Sequence, residues 1–385
     1  MPLCCGFQIS GGLRLPQSGP LWRVTAARSH ITSLLKSLLQ AYNFCLSPLY
    51  RACSPGMPTA LQECSRNPAK TPGRRLSTML LQRKPAAILI MLMLLLTGIL
   101  VSGCLALGAP PAFNGERAYS ILEKQCSFGP RPPGTEAHKK TRDYLISELK
   151  QYSNAVEAQA FTHASAKKTY DMWNIIARFG DTAKPGILLA AHWDTRPMAD
   201  QEVDPARRKL PITGANDGAS GVAVLLELAR IFHESPPPVP VTIVLFDGED
   251  FGYTSDQMYL GSRYFAARLK DFGSCKFGIL LDMVGDKDLN INREGYSNQF
   301  AKSVVDRIWA AAKARGFGEY FPDEVKYAVM DDHLPLIQAG LPCADVIDFD
   351  YAYWHTLSDT PDKCSAKSLK IVGDVISYVV YSPAP

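Results

Sequence analysis

Residues 240–250 read PVTIVLFDGED, an apolar run followed directly by a cluster of acids. A strand that is apolar on both faces is typical of the interior of a mostly parallel sheet, which helices cover on both sides. Asp247, Glu249 and Asp250 stand where this predicted strand ends. In such sheets ligands bind beyond the carboxyl ends of the strands. The stretch therefore predicts both a fold class and the position of a site.

Similar apolar runs alternate with helical patterns along the chain. Strands are predicted at 174–178 (NIIAR), 186–191 (GILLAA), 277–281 (FGILL) and 343–347 (CADVI), and the first two are expected to be neighbours. Helical spacing covers 119–152 with a turn at 129–134, and then 221–232, 261–269, 300–315, 334–339 and 366–381. This alternation predicts a single α/β domain whose mostly parallel sheet is flanked by helices.

The charge is unevenly distributed. Residues 1–103 hold eleven of the 41 Lys and Arg residues but a single acid, Glu63. The remaining 282 residues carry 30 basic and 36 acidic side chains, a net charge of −6. A protein that tracks nucleic-acid phosphates needs the opposite sign, so no nucleic-acid partner is expected.

A targeting segment is predicted at 79–103. Residues 86–103 (AAILIMLMLLLTGILVSG) are uncharged, with Arg83 and Lys84 before them and Cys104 after them. A basic start, an apolar core and small residues before a break are typical of a secretory signal. VSGC also resembles the lipobox of bacterial lipoproteins, in which the Cys carries the lipid. An uncleaved membrane anchor and an ordinary cleaved signal are the alternatives. All three predict an extracytoplasmic catalytic part, and the first two attach it to a membrane.

The domain boundaries follow from this leader. We expect no folded domain in residues 1–78, because Met79 would be an ordinary start for a signal peptide and the upstream stretch is interpreted as a mis-assigned start. Residues 104–118 are predicted to be a linker and 119–385 the catalytic domain. That domain has four cysteines without CxxC spacing, at positions 126, 275, 343 and 364. A structural zinc finger is therefore not expected, and the spacing assigns no disulfide.

Polar residues recur where the predicted strands end. They are His192 and Asp194, the loop 214–218 (GANDG), the acids at 247–250, Asp282, the stretch 331–333 (DDH) and the stretch 354–356 (WHT). Carboxylates and imidazoles are zinc ligands, and a catalytic site leaves one position open. A single Asp at a strand end is more often a helix cap or turn residue, but six clusters at one sheet edge favour a metal site. His138, His163 and His233 belong to none of them and are interpreted as packing or surface residues.

Several motifs identify a resemblance. They are FGPRPPGTEAH, AAHWDTRPMAD, GANDGASGVAVLLELA, LFDGED, LGSRYF, LLDMVGD, DDHLPL and WHTLSDT, in this order between about 117 and 381. Together they resemble the M28 zinc-peptidase superfamily, and within it the animal-type glutaminyl cyclases with their bacterial relatives. The resemblance implies a central mixed sheet flanked by helices, with one catalytic zinc.

The resemblance implies a role for particular residues. Asp217, Asp250 and His355 match the zinc ligands, and Glu249 matches the general acid/base. Asp250 departs from the animal cyclases, which have Glu there, although bacterial relatives also use Asp.

Further positions match the acid network and the substrate pocket. Asp282 and Asp331 match acids that form hydrogen bonds with the general acid/base, and Trp354 matches a tryptophan of the substrate pocket. The loop 251–259 is shorter than in animal cyclases and lacks their pocket tryptophan, so Phe251 or Tyr253 is expected to replace it.

Two activities of the superfamily remain open. A zinc-dependent glutaminyl-peptide cyclotransferase, an acyltransferase, would form pyroglutamate from the N-terminal glutamine of a peptide or protein and release ammonia. An M28 aminopeptidase would bind two zinc ions, the second through His192 and Asp282, and remove N-terminal residues. Asp331, where aminopeptidases usually have Ser, and Trp354 favour the cyclotransferase. A third hypothesis, a binding module that keeps only the fold, is disfavoured because Glu249 and the ligands are intact.

Overall fold

A computed structural model of the chain describes Met93, residues 112–165 and residues 168–382. The predicted leader at 79–103, apart from Met93, and the predictions for 1–78 and Cys104 lie outside these residues. Within the described ranges, every helix is too short or too polar to cross a membrane.

The fold is built on a six-stranded mixed sheet. In the described residues the strands are β1 (Ala155–Ala164), β2 (Thr169–Phe179), β3 (Gly186–His192), β4 (Val241–Phe246), β5 (Cys275–Asp282), β6 (Arg293–Glu294), β7 (Val325–Tyr327) and β8 (Cys343–Ile347). The main sheet has the order β1-β2-β4-β3-β5-β8, and β6 pairs with β7 separately. The three pairings from β4 through β3 and β5 to β8 are parallel, and β2 is antiparallel to both of its neighbours. The predicted mixed, mostly parallel sheet is confirmed.

The expectation that the strands at 174–178 and 186–191 are neighbours was wrong. β4 lies between them, with Leu245 opposite Ile175 on one side and opposite Ala191 on the other. Every residue of β4 is buried. A strand that is apolar on both faces is more stable inside the sheet than at its edge, and this accounts for the insertion.

Helices cover both faces of the sheet. They are α1 (Gly115–Cys126), α2 (Glu136–Lys150), α3 (Ala219–Glu234), α4 (Leu260–Ala266), α5 (Gly295–Phe300), α6 (Lys302–Ala314), α7 (His333–Gln338) and α8 (Ala366–Tyr381), with 3-10 turns at Ser255–Gln257, Leu269–Phe272, Gly318–Tyr320 and Pro361–Lys363. Successive strand residues point to opposite faces. Leu189 therefore joins the core under α1, α3 and α8, whereas Leu188 joins a smaller core under α4 and α7.

The folded part begins earlier than the predicted linker allows. α1 starts at Gly115, and the Asn114 side chain caps it by accepting a hydrogen bond from the backbone N–H of Arg117 at 3.0 Å. Phe113 is buried against Gly373 of α8, where an added Cβ would come within 2.2 Å of the phenyl ring. Residues 113–118 are thus part of the packed domain, and the boundary at 118 was wrong.

The helix α3 packs closely on β5 at the edge of the sheet where the polar clusters lie. Gly221, in its first turn, allows close approach to β5: an added Cβ would lie 2.2 Å from the carbonyl oxygen of Leu281. Because α3 connects β3 to the parallel strand β4, its first turn lies at the edge where β3, β4 and β5 end. The predicted polar clusters all belong to this edge.

Candidate metal centre and active site

Three buried side chains from three loops form the centre of the site. Asp217 precedes α3, Asp250 follows β4 and His355 follows β8. The Nε2 atom of His355 lies 3.4 Å from Asp250 Oδ2 and 3.6 Å from Asp217 Oδ2, and one donor atom from each of the three residues lies within 4.8 Å of the others. Among the described residues, neither of these carboxylate oxygens has a hydrogen-bond partner. Buried oxygens without partners are rare and fit a cation, and this donor set suits zinc.

Two further carboxylates hold the backbone of these loops. Asp194 accepts hydrogen bonds from the N–H groups of Glu249 at 3.1 Å and Asp250 at 3.3 Å. Asp359 accepts from the N–H of Asn216 at 2.8 Å and of Asp217 at 3.2 Å. Both acids are fully buried. The loops that carry Asp217 and Asp250 are therefore fixed through their main chain, and not only by the contacts of the side chains that face the metal site.

A buried arginine ties the first of these loops to β3. The guanidinium group of Arg131 donates to the carbonyl oxygens of Trp193 at 3.1 Å, Thr213 at 2.8 Å and Gly214 at 2.8 Å. The side chain is completely buried, and burial lowers its pKa below the usual value for arginine. The motif FGPRPPGTEAH included Arg131, but sequence analysis assigned it no role.

Arg196 and Asp200 also belong to the site and were missed from the sequence. Arg196 Nη1 donates to Asp250 Oδ1 at 2.6 Å, and its Nε donates to Asp200 Oδ1 at 2.8 Å. The same Asp200 oxygen lies 3.1 Å from Nδ1 of His355. A carboxylate behind a metal-binding histidine orients the ring and increases its basicity. Against the effect of burial, His355 and Arg196 lower the pKa of Asp200 to about 2.

A second group of donors lies beside the first. The Nε2 atom of His192 is 3.1 Å from Asp282 Oδ1 and 3.2 Å from Asp217 Oδ1. These three buried residues also place one donor atom each within 4.8 Å of the others. The predicted second-metal residues are thus brought together, and Asp217 is shared by both groups.

The remaining predicted acids line the same cavity. Glu249 and Asp331 are buried, and Glu249 Oε2 lies 3.8 Å from His192 Nδ1. Burial, with the charges of Asp250 and Asp331, raises the pKa of Glu249 well above its usual value. Burial and the charge of Asp282 do the same to the pKa of Asp331. Carboxyl groups whose pKa is raised by burial and neighbouring charges are suited to proton transfer.

The cavity has a volume of about 380 Å³ and one apolar side. The indole of Trp354 is stacked on the His355 ring, with centroids 4.0 Å apart and planes at 27°. Tyr253 does not line the cavity and is 70% exposed, so the structure does not bring it to the cavity where it was predicted to contact the substrate. Phe251 packs on Tyr170 with ring centroids 4.6 Å apart and is also outside the cavity lining.

Backbone strain is concentrated around this cavity. In the described part of the chain, the non-glycine residues with positive φ are Tyr259 at 58°, Met283 at 47° and His355 at 54°, and all three line the cavity. Such conformations are costly for residues with a Cβ and occur preferentially at functional sites. Tyr259, unlike Tyr253, lines the cavity, and its hydroxyl donates to the Met330 carbonyl at 2.6 Å.

Three other histidines have packing or surface roles, as expected. His138 is fully buried, stacks on Trp193 with ring centroids 4.4 Å apart, and has its Nε2 2.9 Å from Asp247 Oδ1. His163 contacts the edge of the Phe251 ring, and His233 lies at the surface. The four cysteines of the domain are free thiols.

Comparison with known proteins agrees with this geometry. The model of "Peptidase family M28" matches residues 174–380. A crystal structure of Tannerella forsythia glutaminyl cyclase is 38% identical, with a TM-score of 0.68 over 71% of this chain and 100% of that one. A Zn-dependent exopeptidase from Parabacteroides distasonis is 36% identical, with a TM-score of 0.69 over 71% and 100%. The glutaminyl-peptide cyclotransferase of Drosophila melanogaster is 27% identical over 260 residues, which are 60% of this chain and 70% of that protein. The chain therefore belongs to peptidase family M28, and is an enzyme whose buried donors fit a metal ion.

Proposed function

We propose that this enzyme is a zinc-dependent glutaminyl-peptide cyclotransferase, which converts N-terminal glutamine to pyroglutamate and releases ammonia. The observation that carries the proposal is the position of Asp331, a buried acid outside the predicted set of three zinc ligands, which lines the metal-site cavity together with Glu249 and Asp282. The glutaminyl cyclases among its structural relatives support the same activity.

One zinc ion per chain would be held by Asp217, Asp250 and His355. The chemistry that it supplies is Lewis-acid polarisation of the substrate's γ-carbonyl. Arg196 binds the Oδ1 atom of Asp250 and leaves Oδ2 facing His355. The protein thus presents one oxygen of Asp250 to the metal site.

Glu249 is the general acid/base of the proposed reaction. The α-amine nitrogen of the substrate forms a bond to its own γ-carbonyl carbon, and the bond from that carbon to the side-chain nitrogen breaks. Glu249 accepts a proton from the amine and delivers one to the departing nitrogen, which leaves as ammonia. Since burial raises its pKa, the carboxyl group takes up a proton more readily than an exposed glutamate, as a group that first accepts and then returns a proton must.

The other residues of the cavity surround Glu249 and position the substrate. Asp282 and Asp331 line the same cavity as Glu249, and the charge of Asp331 contributes to the raised pKa of Glu249. Trp354 supplies an apolar wall that holds the glutamine side chain bent toward its own amine. Because the nucleophile is part of the substrate, this positioning accounts for much of the rate.

A zinc aminopeptidase is the second candidate. The group His192, Asp217 and Asp282 favours it, because it could hold a second ion next to the first. The Zn-dependent exopeptidase among the structural relatives also supports the aminopeptidase activity. In that enzyme Glu249 would activate a water molecule rather than the amine of the substrate.

Metal content and turnover, measured together on the purified chain, distinguish the two activities. About one zinc per chain and ammonia from a Gln-peptide, with no leucine released from a Leu-peptide, is the expected result. About two zinc ions per chain and free leucine would establish the aminopeptidase. Glu249→Gln should retain zinc and lose turnover by about 10²–10⁴-fold, the usual contribution of a general acid/base. Normal turnover in that variant would remove Glu249 from the mechanism.

We also propose that the enzyme acts outside the cytoplasm, attached to a membrane through lipid on Cys104. The support is the sequence VSGC after an uncharged segment of eighteen residues at 86–103. In a bacterial host, the full chain should incorporate radioactive palmitate and Cys104→Ser should not. Equal labelling of both forms would contradict the lipid attachment.

A further inference from the structure

We infer that a cavity at the edge of the sheet opposite the metal site binds a medium-chain fatty acid. Lys276 and Arg307 hold the carboxylate of this ligand, and apolar side chains surround its alkyl chain. This binding site is separate from the proposed cyclotransferase reaction.

The cavity lies where the parallel strands of the main sheet begin. Ile187, the second residue of β3, is opposite Phe277, the third residue of β5, and both line the cavity. The chain advances about 16 Å along β3 from Ile187 to His192. The cavity, with a volume of about 410 Å³, is therefore remote from the metal site.

Most side chains of the lining are apolar. They are those of Ile187, Pro238, Val239, Phe277, Val304 and Val380. The others are Lys276, Arg307 and two serines, Ser303 and Ser382. A bound peptide would bury backbone N–H and C=O groups that apolar side chains cannot pair with, whereas a hydrocarbon chain has no such groups. The lining is therefore suited to a ligand with an alkyl body.

Within the described residues, the two cations of the cavity have no carboxylate partner. The Nη2 atom of Arg307 donates to two neutral acceptors, the carbonyl oxygens of Val379 at 2.7 Å and Ser382 at 2.9 Å. Burial lowers the pKa of Arg307 below the usual value for arginine. A cation that loses water without gaining a counter-ion is destabilised, so an anion bound beside it is favoured.

The charged and apolar parts of the lining are adjacent. The guanidinium carbon of Arg307 lies 5.6 Å from the centroid of the Phe277 ring. Lys276 precedes Phe277 in β5 and is exposed, so it is accessible to a ligand that enters from solvent. A ligand whose anionic group pairs with these cations thus places its next atoms against apolar side chains. A carboxylate at the end of an alkyl chain has this arrangement of charge.

The volume of the cavity limits the length of the chain. An apolar cavity of about 150 Å³ holds benzene, so 410 Å³ accommodates on the order of 16 non-hydrogen atoms. A saturated carboxylate of about ten to twelve carbons is of this size. The expected ligand is therefore a single medium-chain fatty acid.

The surface of an anionic membrane fits these features less well. Residues 104–385 carry a net charge of −6, which anionic lipids repel. Ile187 is 3% exposed and Val380 is 1% exposed, so both lie below the protein surface. A free chain that enters the cavity contacts them, whereas a flat bilayer does not.

The test measures binding of radiolabelled dodecanoate to the purified full chain by equilibrium dialysis, below the concentration at which dodecanoate forms micelles. One saturable site per chain is expected. Decanoate should bind about tenfold more weakly, because two buried methylene groups are lost. Dodecan-1-ol, which keeps the alkyl chain without the charge, should also bind about tenfold more weakly.

Lys276→Glu should lower the affinity for dodecanoate by about tenfold or more, because it replaces an attractive charge by a repulsive one. Lys313→Glu is the matched control, since it makes the same charge change at an exposed lysine of α6 that does not line the cavity. It should bind dodecanoate as the parent does. Both variants should keep the zinc content and turnover of the parent, which verifies that they are folded.

Three results would overturn the inference. The first is the absence of saturable binding, or equal binding by the parent and Lys276→Glu. The second is that phosphatidylglycerol vesicles, but not free dodecanoate, bind the parent and release Lys276→Glu, which would assign the two cations to a membrane. The third is a parent dimer that Lys276→Glu dissociates in sedimentation without any binding of dodecanoate, which would assign the cavity to a second copy of the chain. None of these measurements uses ammonia release, so the proposed function is tested separately.

Discussion

Replacing Arg131 by methionine tests whether the backbone behind the metal site controls metal binding. Methionine has similar length but donates no hydrogen bond, so the buried carbonyls of Trp193, Thr213 and Gly214 each lose a donor. An unsatisfied buried acceptor costs about 1–3 kcal/mol, and the lower end applies here because the desolvation of the buried cation disappears at the same time. The expected decrease in the free energy of unfolding is therefore about 3 kcal/mol. Since Gly214 lies three residues before Asp217, zinc affinity should fall by about tenfold.

Arg307→Met provides the matched control for this experiment. Arg307 also ties down carbonyl oxygens, those of Val379 at 2.7 Å and Ser382 at 2.9 Å, but these belong to the end of α8 and not to a loop of the metal site. Urea denaturation measures stability, and competition with a chromophoric chelator measures zinc affinity. Both variants should lose stability, whereas only Arg131→Met should lose zinc affinity. If the two variants bind zinc equally well, Arg131 does not position Asp217 and the reasoning fails.

Three other substitutions test separate parts of the structure. Asp200→Asn should lower zinc affinity by about 10–100-fold, because it weakens the contact with His355 Nδ1, and an unchanged affinity in chelator competition would contradict this. Gly221→Ala should lower the midpoint of thermal unfolding, because its Cβ would lie 2.2 Å from the Leu281 carbonyl oxygen; a midpoint equal to that of the parent would argue against close packing of α3 on β5. Burial raises the pKa of Asp348 from 3.8 to about 7, so the folded chain holds this proton more tightly than the unfolded chain, and stability falls as pH rises between these values. Between pH 5 and 7.5 the free energy of unfolding should fall by about 2 kcal/mol less in Asp348→Asn than in the parent. If the two curves of stability against pH are parallel, the pKa of Asp348 is not raised in the folded chain.

Much of the fold could be predicted because the parallel strands carry a local signal. The strands β3, β4, β5 and β8 are apolar runs, and the helices α3 and α8 have regular apolar spacing. The strand β1 was not predicted, because most of its residues are exposed and its sequence, AVEAQAFTHA, resembles a loop. Local sequence patterns could not predict the order of the strands either, because the insertion of β4 between β2 and β3 depends on contacts between distant segments.

The sequence predicted the residues at the ends of the strands, but not the residues that orient them. Carboxylates and imidazoles at the ends of strands are visible in the sequence, and the structure brings together Asp217, Asp250 and His355. The residues that orient them act over long separations. Arg196 bonds to Asp250 across 54 positions, and Asp359 bonds to the backbone of Asn216 across 143. No spacing rule links such pairs, although Arg196 and Asp359 both lie inside motifs that sequence analysis had identified.

The contrast between the two candidate activities depends on His192 more than on the zinc ligands. As a second metal ligand, its ring would have to present a lone pair at Nε2 and leave Asp282 to the metal. In a one-zinc enzyme the same Nε2 carries a proton and donates toward Asp282 and Asp217, which lie at hydrogen-bonding distances of 3.1 and 3.2 Å. Against the effect of burial, the charge of Asp282 raises the pKa of His192, which favours protonation of both ring nitrogens and adds positive charge to a cavity that is rich in acids. Cyclisation of the substrate needs no metal-bound water, so it does not require a second ion. In this arrangement the hydrogen bond between His192 and Asp282 takes the place of that ion. The number of zinc ions per chain therefore indicates whether Nε2 of His192 carries a proton or binds a metal. It thereby indicates which of the two reactions the site supports.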